Sequence, residues 1–269
     1  MFAFRGSTAL ITGASKGLGA AFAESLAARG ANLVLVARSQ EALSAQARRL
    51  EQTYPVQVIA LAADLAQPEE AERIAAELAR RGIDVDLLVN NAGHGLGGGF
   101  LSNPRAKELG QVALNVDALL SLTHLFGNRM AERRRGGIIN VASNAAFQAV
   151  PYQATYSATK AFVLHFSEAI AYEMRAQGVQ VMASCPGPTA TSFFEEMQTS
   201  MPARQMDSSA SVAEHTLKAF EPGETVAYPG RASIRLGALA AQLLPRSIVM
   251  RLAAAASKKM GLHEARRAA

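Results

Sequence analysis

The chain has 269 residues, of which 49% are hydrophobic and 18% charged, with a net charge of +5 at pH 7. That length suits one large α/β domain or two small ones, and the composition excludes a disordered chain. The basic excess is scattered over Arg133-Arg134-Arg135, Lys258-Lys259 and Arg266-Arg267 with no interleaved aromatic residues, which speaks against nucleic-acid binding.

The opening run Met1-Phe2-Ala3-Phe4 reaches Arg5 too soon for a signal-peptide core, and the expectation is a soluble cytoplasmic protein. A first strand at Ala9-Leu10-Ile11 leads into Thr12-Gly13-Ala14-Ser15-Lys16-Gly17-Leu18-Gly19 and then a helix over 18–29. Glycines in such a turn let backbone N–H groups approach a pyrophosphate at the helix N-terminus, where the dipole favours negative charge. The spacing G-x-x-x-G-x-G is neither the common dinucleotide fingerprint nor a P-loop, yet its place after the first strand predicts dinucleotide binding.

A second strand, Asn32 to Ala37, ends at Arg38-Ser39 with no carboxylate to take a ribose 2′-hydroxyl. Arg38 and Lys16 can instead pair with a 2′-phosphate, at roughly 1.5–3 kcal/mol for each charge-assisted bond. The predicted cofactor is therefore NADP(H). A helix over 40–53, a strand Val56 to Ala62, a helix over 68–81 and a strand Val85 to Val89 follow. Helical periodicity over 104–132, a strand Gly137 to Ala142, a helix over 153–177 and a strand Val179 to Ser184 complete the regular part. Gly30, Gly82 and Gly178 each stand where a helix ends, as left-handed caps do. Nearly continuous apolar strands alternating with helices predict an α/β fold with a doubly wound parallel sheet, helices on both faces and a single domain over 1–269. Cys185 is the sole cysteine, which excludes an internal disulfide, and it reads as a small buried residue at a strand end.

Tyr156 and Lys160, at i and i+4, share one helix face. A nearby ammonium is expected to lower the tyrosine pKa and make Tyr156 the group that exchanges a proton with a substrate oxygen. Ser143, at the end of a strand, is placed to hydrogen-bond that oxygen. His94, His124, His165, His215 and His263 show no metal-ligand spacing, so no metal is expected.

With these residues in place, the segment 7–192 resembles the short-chain dehydrogenase/reductase family. The cofactor loop matches its TGxxxGxG, Asp64 its acid at the adenine with Leu65 beside it, and Asn90-Asn91-Ala92-Gly93 its NNAG motif. Asn115 falls at its helix asparagine, which holds a water in the proton relay. Ser143, Tyr156 and Lys160 have its catalytic spacing, with Lys160 also on the nicotinamide ribose. Pro186-Gly187, Thr189 and Thr191 resemble its nicotinamide-carboxamide segment. Ala142 and Ala146 depart from its frequent serine and glycine without removing a reacting group. The resemblance implies a Rossmann-type sheet of about seven strands in the order 3-2-1-4-5-6-7. It also implies hydride transfer between NADP(H) and a ketone, aldehyde or secondary alcohol, in a homodimer or homotetramer.

Around that centre, His94, Phe147, Gln148 and Tyr152 are substrate-contact candidates, and the Met-bearing stretch 189–210 reads as a substrate lid. Residues 211–220 look helical, Thr225 to Tyr228 could form a last strand, and 232–262 read as two apolar, basic helices split by Pro245. The extension 225–262 resembles the 17β-hydroxysteroid and 3-ketoacyl reductase branch, which implies an apolar carbonyl substrate. Residues 246–262 read either as helices covering the sheet edge or a second subunit, or as an interfacial helix on a membrane. A rival from another class is a catalytically idle NADP-binding redox sensor. Such a protein is expected to lose Tyr156 or Lys160, and both are present.

Overall fold

In the computed structural model, which describes residues 2–193, 197, 199 and 201–264, strand and helix alternate nearly as the apolar periodicity predicts. The strands are β1 (Thr8–Thr12), β2 (Asn32–Ala37), β3 (Val58–Ala62), β4 (Leu87–Asn90), β5 (Gly136–Val141) and β6 (Val179–Ser184), followed by β7 (Thr189–Ala190), β8 (Asp207–Ser208) and β9 (Val226–Ala227). The helices are α1 (Gly17–Ala28), α2 (Gln40–Thr53), α3 (Glu70–Arg80), α4 (Arg105–Val112), α5 (Ala118–Glu132) and α6 (Ala154–Arg175), then α7 (Ser209–Phe220), α8 (Ala232–Leu243) and α9 (Arg246–Lys259).

Seven strands form one parallel sheet in the order β3-β2-β1-β4-β5-β6-β9. This is the expected topology, with β9 as its last strand. The extra pair β7 and β8, which the sequence does not announce, joins the two ends of the lid stretch. Residues 194–196, 198 and 200 of that stretch lie outside the described residues.

Both faces of the sheet are covered because successive side chains of each strand point to opposite sides. Leu33 and Leu35 of β2 pack with Phe22, Leu26, Leu43 and Phe220 on one face. Val34 and Val36 pack with Ile74, Leu78, Leu122 and Phe126 on the other. Gly30 and Gly82 close α1 and α3 in left-handed geometry, at φ of 80° and 68°. Each cap carries the paired bonds of a Schellman motif: Gly30 N to Ala27 O with Ala31 N to Leu26 O, and Gly82 N to Ala79 O with Ile83 N to Leu78 O.

The predicted helix 104–132 is continuous but contains one π-helical turn, Ala113–Asp117, between α4 and α5. Arg105–Glu132 is long and apolar enough to cross a membrane by length and composition. Its Leu122, Phe126 and Met130, however, are buried in the core beside the sheet.

Candidate active site

Strand order reverses between β1, which leads to β2, and β4, which leads to β5. Loops leaving the C-terminal ends of β1 and β4 therefore diverge and open a crevice. A cleft of about 1090 Å3 lies there.

The glycine loop forms its floor. Gly13 and Gly17 adopt φ of 65° and 57°, and a Cβ on Gly19 would overlap the carbonyl oxygen of Gly13. The loop is locked to β4 through Thr12, whose Oγ1 accepts the N–H groups of Asn91 and Ala92, both at 2.9 Å. Asn91 Nδ2 returns a bond to Thr12 O at 2.9 Å. This cradle is closed to side chains and open to backbone contact, which fits a dinucleotide pyrophosphate. Gly13, Ser15, Lys16, Gly17 and Leu18 line the cleft, with Arg38, Asp64 and Leu65 from the ends of β2 and β3. Gly19 does not line it; its part is the close approach of α1 to the turn.

Asn91, Ala92, Gly93 and His94 form the next wall. Asn90 points the other way: buried, its Nδ2 donates to Thr123 Oγ1 at 3.0 Å and to Asn140 Oδ1 at 2.9 Å. Asn140 Nδ2 then donates to Ser167 Oγ at 2.9 Å, so a buried polar chain ties α6 to the sheet behind the site. Asn115, in the π turn, is 1% exposed. Its amide is engaged with the His94 main chain and with Thr159 Oγ1.

Ser143, Tyr156 and Lys160 meet in the same cleft. Ser143 leaves the end of β5, and its Oγ accepts the Ala145 N–H at 3.1 Å. Lys160 Nζ donates to Val141 O at 2.7 Å and lies 5.9 Å from the centre of the Tyr156 ring. Burial governs both groups. It pushes the Tyr156 phenol up to about 12, against a smaller downward pull from the Ser143 hydrogen bond, and it pulls Lys160 down to about 8. The expectation that Lys160 depresses the tyrosine is therefore corrected. Desolvation outweighs any ammonium field, and the ammonium is itself disfavoured there. What stands in the cleft is a protonated phenol, a proton donor. Cys185, buried just past β6, is likewise raised to about 12 by burial and is an inert thiol.

Pro186, Gly187, Thr189 and Thr191 line the remaining side, and of the substrate candidates His94 and Gln148 do so too. Phe147 and Tyr152 do not. Phe147 stacks on Tyr228 with ring centres 5.5 Å apart, and Tyr152, at φ of 66°, meets the His263 ring at 6.0 Å. Two further contributors lie beyond the four named contact candidates, the first of them within the predicted lid stretch. The Phe193 ring lies 5.4 Å from that of Tyr156, and α9 supplies Ala253, Ala256 and Ser257, with Met260 just beyond its end. The C-terminal extension is thus a wall of the cleft.

The model for the family described as short chain dehydrogenase matches residues 7–202. A very-long-chain 3-oxoacyl-CoA reductase of Pyricularia oryzae is 37% identical over 182 residues, 66% of this chain and 54% of that protein. The chain therefore spans about half the length of such curated relatives. Among solved structures, a short-chain dehydrogenase from Sphingobium yanoikuyae in complex with NADPH is 34% identical, with a TM-score of 0.80 over 87% of this chain and 92% of that one. The bulky-bulky ketone specific alcohol dehydrogenase from Comamonas testosteroni is 31% identical, with a TM-score of 0.76 over 87% and 90%.

Proposed function

The chain belongs to the short-chain dehydrogenase family, and from that premise we propose that it is an NADP(H)-dependent oxidoreductase acting on an apolar ketone, or on the matching secondary alcohol in reverse. The observation that carries this reading is the convergence of Ser143, Tyr156 and Lys160 in the cleft that also holds Lys16, Arg38 and the glycine cradle. When bound, the nicotinamide supplies or accepts the hydride. Tyr156, held protonated by burial, gives its phenolic proton to the carbonyl oxygen as negative charge develops there. Ser143 Oγ donates a second hydrogen bond to that oxygen and stabilises the same charge. Lys160, in its charged form, offsets part of the cost of the negative charge left on Tyr156 as the proton leaves, without bringing the resting phenol below its ordinary range.

The substrate class rests on the walls of the cleft and on the relatives. Phe193, Met201, Ala253, Ala256 and Met260 give the cleft a largely apolar side, which suits a bulky ketone of steroid or 3-oxoacyl type. Of the relatives, one is named for reducing 3-oxoacyl-CoA and one for bulky ketones.

The test is NADPH oxidation against a panel of steroid ketones, 3-oxoacyl thioesters, alkyl ketones and quinones, with Tyr156→Phe as control. Turnover by the native chain and none by the variant, at unchanged NADPH affinity, is expected. Complete inertness across the panel would replace this reading with that of an NADP-binding sensor.

A further inference from the structure

Helices α8 and α9 carry an outer face that none of the described residues covers. On α8, Leu236, Leu239 and Leu243 recur at spacings of three and four and so lie along one stripe. They are 67%, 44% and 86% exposed. Leu244, Ile248 and Leu252 follow through the Pro245 turn and along α9, and they too are exposed. A helix that merely closes a sheet turns its leucines inward. Here α8 buries only Ala238, and α9 only Val249 and Ser257. Exposed apolar area of this extent marks a contact surface.

Charge selects the occupant. Between Glu224 and Glu264 the sequence has no acidic residue, while it has Arg231, Arg235, Arg246, Arg251, Lys258 and Lys259. Arg231 pairs with Asp207 and Arg235 lies over the Tyr228 ring. The other four are exposed on α9. A second copy seated across a two-fold axis would set this cationic face against itself. An anionic lipid surface meets both demands at once, since leucines enter the acyl boundary and cations rest on phosphates.

We propose that the α8–α9 face docks on anionic membranes. The adjoining side of α9, with Ala253, Ala256 and Ser257, is a wall of the cleft, so docking sets the cleft beside the lipid and gives an apolar substrate a route that avoids water. That last step rests on the reductase reading; the docking face does not.

Co-sedimentation of the full chain with phosphatidylcholine vesicles, with and without phosphatidylserine, tests the proposal. Binding is expected to be at least roughly ten-fold tighter to the serine-lipid vesicles and to weaken as salt rises, because each basic residue near an anionic surface adds an attraction that salt screens. Two variants separate the contributions: Leu236→Glu with Leu243→Glu and Leu252→Glu, and Arg246→Glu with Arg251→Glu. All these positions are exposed, and circular dichroism checks that the fold is kept. Each variant is expected to lose most vesicle binding, while NADPH oxidation with a water-soluble ketone, measured without vesicles, is unchanged. Absence of native binding to the serine-lipid vesicles would overturn the proposal, and so would variants that bind like the native chain. A leucine variant that turns a dimer into a monomer, in a chain indifferent to vesicles, would assign the face to a second copy. Vesicle binding without any ketone turnover would leave the docking face standing and remove the reductase reading.

Discussion

Asn115 clamps the main chain of His94 from both sides: its Oδ1 accepts the His94 N–H at 3.0 Å while its Nδ2 donates to the His94 carbonyl at 2.9 Å. The same Nδ2 donates to Thr159 Oγ1 at 3.1 Å, so one side chain joins the loop after β4 to the helix that bears Tyr156 and Lys160. The π turn places it there, in keeping with the frequent appearance of such turns at functional sites. Asn115→Ala strips partners from a half-buried loop, at about 1–3 kcal/mol for a group left unsatisfied. The melting temperature should fall by several degrees, since about 2–4 °C accompanies each kcal/mol in chains near this size. Calorimetry checks this, and an unchanged midpoint would show that the clamp does not hold the loop.

Burial of Lys160 gives the chain a pH signature. Its folded-state value of about 8 lies below the ordinary 10.5. Between those values the folded chain holds fewer protons than the unfolded one, so stability rises with pH across that window. The penalty is complete below about 8 and gone above the ordinary lysine value. Tyr156, raised from 10 to about 12, acts in the opposite sense, its contribution being complete below 10 and lost toward 12. Lys160→Met removes only the first effect. The melting temperature of the native chain relative to this variant should therefore climb between pH 8 and pH 10; a constant difference would mean that Lys160 titrates normally.

Catalysis should show the same group with the opposite slope. Tyr156 remains protonated to about 12, so a fall in ketone reduction that sets in as pH rises past about 8 belongs to loss of the Lys160 charge. The kcat/KM profile, which reports the free protein, is expected to be flat below about 8 and to decline above it. A profile flat to pH 10 would mean that the ammonium does not contribute to proton transfer.

The parts of the site legible in the sequence are those in which backbone geometry forces a residue type. Gly13, Gly17 and Gly19 mark a turn no side chain can enter, and the i, i+4 spacing of Tyr156 and Lys160 places both on one helix face. Contacts made between distant segments left no local trace. Phe147 lies close to Tyr156 in sequence, but it turns onto Tyr228. The role of α9 depends on how the chain returns after Pro245, which no periodicity records. The pKa order was missed because spacing reveals neighbours and not desolvation, and desolvation is the larger effect for both Tyr156 and Lys160. Asn90 and Asn91 are adjacent and chemically identical. Only the strand alternation at the end of β4 sends one into the core and the other to the cleft.

Gly19→Ala tests the cradle. The added methyl group would overlap Gly13 O and press on Asn91 Nδ2, and the obstacles are backbone and a hydrogen-bonded amide, neither of which yields easily. Overpacking of this kind costs about 1–3 kcal/mol. Because the displaced atoms are those of the turn, NADPH affinity should fall by more than the melting temperature alone would suggest. Fluorescence titration with NADPH reads this, and unaltered affinity would place the pyrophosphate elsewhere.

Arg38 is the residue on which cofactor choice should turn. It follows β2, is exposed, and lines the cleft at the side away from Tyr156 with Lys16. A guanidinium there favours a 2′-phosphate, whereas a carboxylate would repel that group and accept a hydrogen bond from a 2′-hydroxyl. Arg38→Asp is expected to weaken NADPH binding by at least roughly ten-fold, as loss of one charge-assisted bond implies, and to strengthen NADH binding. Because the pair is exposed, rising salt should weaken NADPH binding to the native chain more than NADH binding. In the variant that difference should shrink. The melting temperature should stay constant, since Arg38 is exposed outside the core. Titrations of both cofactors against both proteins at two salt concentrations measure all of this. If Arg38→Asp binds NADPH as the native chain does, the discrimination must be assigned to Lys16 and the glycine turn, and Lys16→Ala should then produce the loss.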